Sequence, residues 1–181
     1  MEIRPERPAD TATIRDLTRA AFDRAAHSNQ TEAKIVDILR ADGALSLSLV
    51  ATEAGHVLGH AAFSPVTFEG SAGGWYGLGP VSVWPSRQRR GVGQALIRDG
   101  LRSLQAMPAA GCAVLGEPGY YGRFRFENDR ALFYGDAAPG YFQRLVLNGP
   151  AAEGRGPLPS GVRRSIESFE VLLDDPGPRT R

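Results

Sequence analysis

The chain of 181 residues has one cysteine, three histidines and, among its 21 basic residues, one lysine, Lys34. Cys112 alone forms no internal disulfide, and one Cys beside three scattered His is too few for a structural zinc site, so no metal is expected. Charge of neither sign prevails: 21 basic against 20 acidic residues leave +1, with no block of five like charges. That excludes the concentrated positive face that a nucleic-acid or anionic-membrane binder needs. No apolar run approaches the roughly 18–20 residues of a membrane span, and Met1-Glu2-Ile3-Arg4-Pro5 has no apolar signal region. Repeats and low-complexity tracts are absent. What is present is 42% hydrophobic and 23% charged residues, enough apolar material for a sizeable core. The expectation is a cytoplasmic α/β-type protein with one domain over residues 1–173 and a flexible tail over 174–181.

The pattern along the chain predicts a mixed architecture. Ile3 to Arg7 reads as a strand that Pro5 and Pro8 restrict to an edge or a bulge. Asp10 is placed to cap a helix reaching about Arg24, with Ile14, Leu17 and Ala21 as its stripe and Phe22 beside it. A second helix begins near Asn29, with Glu32 at capping-box spacing, shows Ile35, Ile38 and Leu39 on one face, and stops at Asp42-Gly43. Ser46–Glu53 and His56–Thr67 form a hairpin through Ala54-Gly55, and a loop over Glu69–Gly74 leads to a third strand, Tyr76–Trp84. Pro80 stands in the middle of that strand, where it cannot donate to a ladder, so an edge or a bulge is predicted there. A helix from Val92 to Gln105, a strand at Cys112–Leu115, an aromatic turn or short helix at Tyr120–Phe126 and a strand at Tyr141–Leu147 follow. The glycine- and proline-rich stretch from Asn148 to Gly161 reads as loop.

Between the third strand and the Val92 helix lies Pro85-Ser86-Arg87-Gln88-Arg89-Arg90-Gly91-Val92-Gly93-Gln94. Backbone N–H groups at a helix start are free donors, and the helix dipole adds roughly half a positive charge there. Glycines admit an anion close to the backbone, so a phosphate or pyrophosphate is the natural ligand. The same residues also suit a plain strand–loop–helix connection with solvated arginines. No Gly-Lys-Ser/Thr follows to make a P-loop, and Leu96 stands where the dinucleotide fingerprint needs a small residue.

Gln88-Arg89-Arg90-Gly91-Val92-Gly93 resembles the Q/R-x-x-G-x-G/A signature of the GNAT superfamily of acyl-CoA-dependent N-acetyltransferases. Leu78-Gly79-Pro80-Val81-Ser82-Val83 and Val114-Leu115-Gly116-Glu117-Pro118-Gly119-Tyr120-Tyr121-Gly122-Arg123-Phe124 bring it nearer to the bacterial YhbS-like branch, and the resemblance covers about residues 1 to 147. It implies a mixed, mostly antiparallel sheet of six to seven strands with about four helices, and a fourth strand that splays from the fifth. It also implies acetyl-CoA as cosubstrate, with Val81 and Val83 offering backbone groups to its pantetheine arm. Gln88, Arg89, Arg90, Gly91, Val92 and Gly93 would hold the pyrophosphate. Tyr121, matched through Tyr-x-x-Phe-x-Phe, would be the general acid in direct attack of a primary amine on the thioester, with Tyr120 packing beside it.

Arg125 replaces the family glycine and implies an altered turn or strain. No Glu, Asp or His lies in the strand Tyr76–Trp84, so a strand-borne base is absent and water or backbone carbonyls would take the proton. His27 and Glu32, near the loop between the first two helices, could face the acceptor, against the plainer readings of a surface residue and a cap; His60 reads as a packed strand residue. The acceptor, a small molecule or a peptide amine, would enter between Ala25–Gln30 and Asp136–Gly140, and relatives of this kind are often homodimers. A non-catalytic acyl-CoA-binding sensor is the alternative. A nucleotide-binding protein unrelated to CoA fits the loop but not Pro80 or the Tyr-Tyr segment.

Overall fold

A computed structural model describes residues 1–23, 30–68, 73–128, 132–133, 140–148 and 154–155. In chain order the elements are β1 (Glu2–Pro5), α1 (Thr11–Phe22), α2 (Glu32–Ala41), β2 (Leu47–Glu53), β3 (His56–Val66), β4 (Trp75–Val83), α3 (Val92–Ala106), β5 (Gly111–Leu115), α4 (Pro118–Tyr121), β6 (Glu127–Asn128), β7 (Leu132–Phe133), β8 (Phe142–Val146) and β9 (Gly154–Arg155). Seven strands form one sheet in the order β1-β2-β3-β4-β5-β8-β6, and β7 pairs with β9 separately. Only β4 and β5 run parallel in the large sheet. A parallel pair needs a long crossover, and α3 supplies it.

The sheet has a helical layer on each face. Ile14 and Leu17 of α1 and Val36 of α2 pack on Val50 and Val57, with Trp84 at the edge of this cluster. On the other face Val92, Leu96, Ile97 and Leu104 of α3 join Ala51, Ala61, Phe63 and Leu78. Burying a side chain of this size is worth about 1.5–3 kcal/mol, so the two clusters hold both helical layers firmly against β3 and β4.

Several local expectations change. Asp10 precedes α1 but does not cap it: its carboxylate accepts the Arg7 N–H at 2.7 Å and pairs with Arg4 at 2.7 Å, which closes the preceding 3-10 turn. The α2 helix starts at Glu32 after Thr31, so Glu32 occupies the first turn rather than capping-box position N3, and its side chain is buried. Asn29, His27 and Arg24 lie outside the described residues, as does the boundary at 173/174. Val36, not Ile38, joins Ile35 and Leu39 as a buried residue, because the α2 stripe turns toward β2. Gly154–Arg155 is a strand within the stretch expected to be loop.

Pro80 proves to sit at a bulge, not at an edge. β4 lies inside the sheet, and its register against β3 shifts between Ala61 and Phe63, opposite the Gly79–Pro80 pair. That irregularity positions the site.

Candidate active site

β4 pairs with β5 only from Trp75 to Leu78, against Gly111 to Val114, whereas its pairing with β3 resumes after the bulge through Val81, Ser82 and Val83. Beyond Leu78 the two parallel strands therefore part and leave a fork. In an antiparallel ladder alternate residues turn their N–H and C=O groups to opposite sides. The Trp84 N–H donates to the Leu58 carbonyl at 3.1 Å, so Ser82 and Trp84 serve the ladder with β3. Val81 and Val83 turn their backbone groups the other way, into the fork.

The loop after β4 begins with a 3-10 turn at Pro85–Arg87, closed by the Arg87 N–H on the Trp84 carbonyl at 2.7 Å. Arg89 has φ +59°, and Gly91, the N-cap of α3, has φ +82°. A non-glycine residue at positive φ carries a steric cost that glycine does not, so the turn into α3 is set by Gly91. No acidic residue occupies the first turn of α3 and no side chain caps it, so among the described residues the positive end of its dipole has no carboxylate in that turn to offset it. The Gln88 side chain points back to the strand, its amide donating to the Val83 carbonyl at 3.1 Å.

A cavity of about 580 Å³ opens here, lined by Val81, Val83, Gln88, Arg89, Gly91, Val92, Gly93 and Gln94, by Ala21 and Phe22 of α1, and by Arg87, Tyr120, Tyr121 and Arg123. Eight of the nine residues expected at the site thus face one space; Arg90 is not among its lining residues. Ala21, Phe22 and Arg123 were not legible as site residues, since only tertiary packing brings α1 and the α4 segment to the loop. A Cβ on Gly93 would lie 3.2 Å from the Tyr120 hydroxyl and 3.6 Å from Val83 Cγ2, so the glycine keeps this passage open.

α4 is short but firmly held. Its N-cap Glu117 accepts the N–H groups of Gly119 at 2.9 Å and Tyr120 at 2.6 Å. Gly116 is fixed to β8, donating its N–H to the Tyr141 carbonyl and accepting the Gln143 amide, both at 2.9 Å. The Tyr121 ring lies against Gly116 so closely that any side chain there would collide with it. Tyr121 also packs edge-on to Tyr120 and Phe126, at ring separations of 5.1 and 5.9 Å. Burial, with smaller contributions from Tyr120 and Cys112, raises its hydroxyl well above the usual tyrosine range, so it stays protonated through neutral pH. Tyr120 packs as expected on Tyr121 and Phe124, but it also lines the cavity. Arg125 keeps positive φ, +70°, at the end of the following 3-10 turn; the glycine-type turn is retained and its strain accepted.

On the other sheet face His60 is fully buried on β3. Its Nε2 lies 2.8 Å from Ser48 Oγ, which donates to Glu6 at 2.5 Å, and Arg40 binds the same carboxylate at 2.7 and 2.9 Å. Burial, and to a lesser degree Arg40, lower the imidazole pKa to about 4 against a partial opposing pull from Glu6. His60 is therefore a neutral packed residue. Among the described residues no group of three His, Cys, Asp or Glu could hold a metal ion, and no helix is long and apolar enough to cross a membrane.

Residues 11–116 match the model of the acetyltransferase (GNAT) family. The N-acetyltransferase YhbS of Escherichia coli K12 is 41% identical over 128 residues, covering 70% of this chain and 74% of that protein. A GNAT-family acetyltransferase from Brucella melitensis, solved with acetyl-CoA, is 50% identical with a TM-score of 0.76, covering 88% of this chain and 96% of its own. YhbS of E. coli, solved with CoA, gives 35% identity and a TM-score of 0.78 over 85% of this chain and 87% of its own. By sequence and by fold, the chain belongs to the GNAT family of acetyltransferases.

Proposed function

We propose that the protein is an N-acetyltransferase that moves the acetyl group of acetyl-CoA to a primary amine, with Tyr121 as general acid. The observation that carries this reading is the fork: backbone groups of Val81 and Val83 face a cavity that ends at the uncompensated N-terminus of α3. The dimensions and chemistry suit a long ligand with an amide-bearing arm and a phosphorylated end, and the two similar structures hold acetyl-CoA and CoA.

When bound, acetyl-CoA supplies an acyl thioester whose carbonyl carbon an amine can attack. Val81 and Val83 hold the arm in extended form by strand-like bonding. The N–H groups of Val92, Gly93 and Gln94, with the Arg89 side chain, neutralise phosphate charge. As the C–N bond forms and the C–S bond breaks, Tyr121 gives its proton to the departing sulfur, for which a raised hydroxyl pKa keeps the donor charged with its proton at neutral pH. Thiols of pKa about 8.5 leave only partly protonated without such a donor. Among the described residues the cavity lining contains no carboxylate or imidazole, so the amine enters neutral, the proton its nitrogen sheds as the amide forms goes to water, and Tyr121 regains its proton from water.

The test is release of free thiol from acetyl-CoA against a panel of small amines and peptide N-termini, beside a thermal melt with CoA. Thiol release that depends on the amine supports the transferase; a thermal shift by CoA without turnover on any amine favours a binding module instead.

A further inference from the structure

We propose that Arg123, laid over the Tyr120 ring, binds a phosphate of the CoA donor and forms a second cationic wall facing the signature loop; this rests on the donor reading above. Arg123 lies outside that loop, on the 3-10 turn after α4 (Gly122–Phe124). Its guanidinium carbon is 4.8 Å from the centroid of the Tyr120 ring, and both residues line the same cavity as Arg89, Gly91 and Gly93 of the signature loop. A guanidinium stacked on an aromatic face keeps its N–H edge free for in-plane acceptors, the geometry that suits phosphate oxygens.

Tyr120 is a fixed pedestal. Glu117 holds its N–H, Tyr121 and Phe124 hold its ring edge-on, and its hydroxyl reaches toward the first turn of α3 at Gly93. The guanidinium is thus oriented before any ligand arrives. It is also uncompensated: among the described residues no carboxylate forms an ion pair with Arg123 or Arg89, and both Glu117 oxygens are engaged by backbone N–H groups. Cations from two separate segments that face one cavity without internal partners call for an anion between them. Arg98 offers an internal contrast, since it stacks on Phe124 at 5.7 Å but does not line the cavity.

Calorimetric titration of the full chain with CoA, dephospho-CoA and phosphate-free S-acetylpantetheine separates the contributions. Arg123→Gln should weaken CoA binding about ten-fold or more, as loss of a charge-assisted bond does, and leave pantetheine binding within two-fold. Equal losses for CoA and dephospho-CoA assign Arg123 to the pyrophosphate; a loss confined to CoA assigns it to the 3′-phosphate. Arg123→Lys should recover part of the affinity, and Arg98→Gln should stay within two-fold of the parent. In turnover, Arg123→Gln should raise the KM for acetyl-CoA and leave kcat unchanged. The proposal is overturned if Arg123→Gln binds CoA as the parent does, or loses pantetheine binding equally. Failure of the parent chain itself to bind CoA overturns the donor reading, and this assignment with it.

Discussion

The Gln88 side-chain amide donates to the Val83 carbonyl at 3.1 Å, joining the signature loop to the strand that walls the fork. The bond engages one of the backbone groups that Val83 turns away from β3 and fixes the loop's height above the cavity. Gln88 therefore acts on the donor site through Val83, in addition to any contact of its own. Gln88→Ala should weaken CoA binding by about three- to ten-fold, in line with about 1 kcal/mol for one hydrogen bond, with little change in melting temperature. Unaltered CoA affinity in calorimetry would show that the tie has no part in binding.

Gly93 offers a sharper steric test. Alanine there meets the Tyr120 hydroxyl at 3.2 Å and Val83 at 3.6 Å, contacts that a small shift relieves, and replacing glycine within a helix gains about 1 kcal/mol in propensity. Gly93→Ala should fold with an equal or higher melting temperature. Gly93→Glu fills the passage and sets a carboxylate against the phosphate position, and should remove the thermal shift that CoA produces by mass action. A preserved shift in a folded Gly93→Glu protein would count against phosphate binding at α3.

The sequence made the frame legible wherever the signal was local. The alternation of β2 and β3, the Ala54-Gly55 turn and the stripe of α3 lie in contiguous residues, and Pro80 alone announced an interruption of β4. Edge and bulge could not be told apart there, because the outcome depends on β5, a strand distant in sequence that pairs with β4 from Trp75↔Gly111 only up to Leu78↔Val114. The Glu6–Ser48–His60–Arg40 cluster draws on four separate segments, and no local pattern connects them. For the same reason no local pattern marks Arg123 and Phe22 as lining residues, whereas Gly91 and Gly93 stand in a contiguous glycine- and arginine-rich loop that resembles the family signature.

Acid stability should follow His60. Its pKa falls from 6.5 to about 4 on burial beside Arg40 and Glu6, so between these values the unfolded chain binds the extra proton. Stability is then complete above about pH 6.5 and declines as pH falls toward 4, by up to roughly 3 kcal/mol. Burial raises the Glu6 carboxyl, but hydrogen bonds from Arg40 and Ser48 with the charge of Arg40 outweigh it, and the Arg4 hydrogen bond outweighs the burial of Asp10; both carboxyls lie below the usual range and add their losses at still lower pH. Urea unfolding at pH 7 and pH 5 should show the decline in the parent and a flatter profile in His60→Gln; equal slopes would remove His60 from the account.

Arg125 holds a left-handed conformation, φ +70° and ψ +21°, that costs a side-chain-bearing residue about 1–2 kcal/mol. Arg125→Gly relieves it at some cost in unfolded-state entropy. The net effect should be stabilisation by about 0.5–1 kcal/mol, read from the urea midpoint at constant slope. A destabilised variant would mean that the Arg125 side chain contributes more than its backbone loses.

The most direct test of the central claim compares turnover in the parent, Tyr121→Phe and Tyr120→Phe, with the best amine from the panel and saturating acetyl-CoA. Tyr121→Phe keeps the ring on Gly116 and Phe126 and removes only the hydroxyl. General acid help is typically worth about 10²–10⁴-fold, part of which water can supply. Turnover in Tyr121→Phe should fall about ten-fold or more with CoA affinity within a few-fold of the parent, while Tyr120→Phe retains parental turnover. Equal turnover in Tyr121→Phe and the parent, or a comparable loss in Tyr120→Phe alone, would contradict the assignment of the acid to Tyr121.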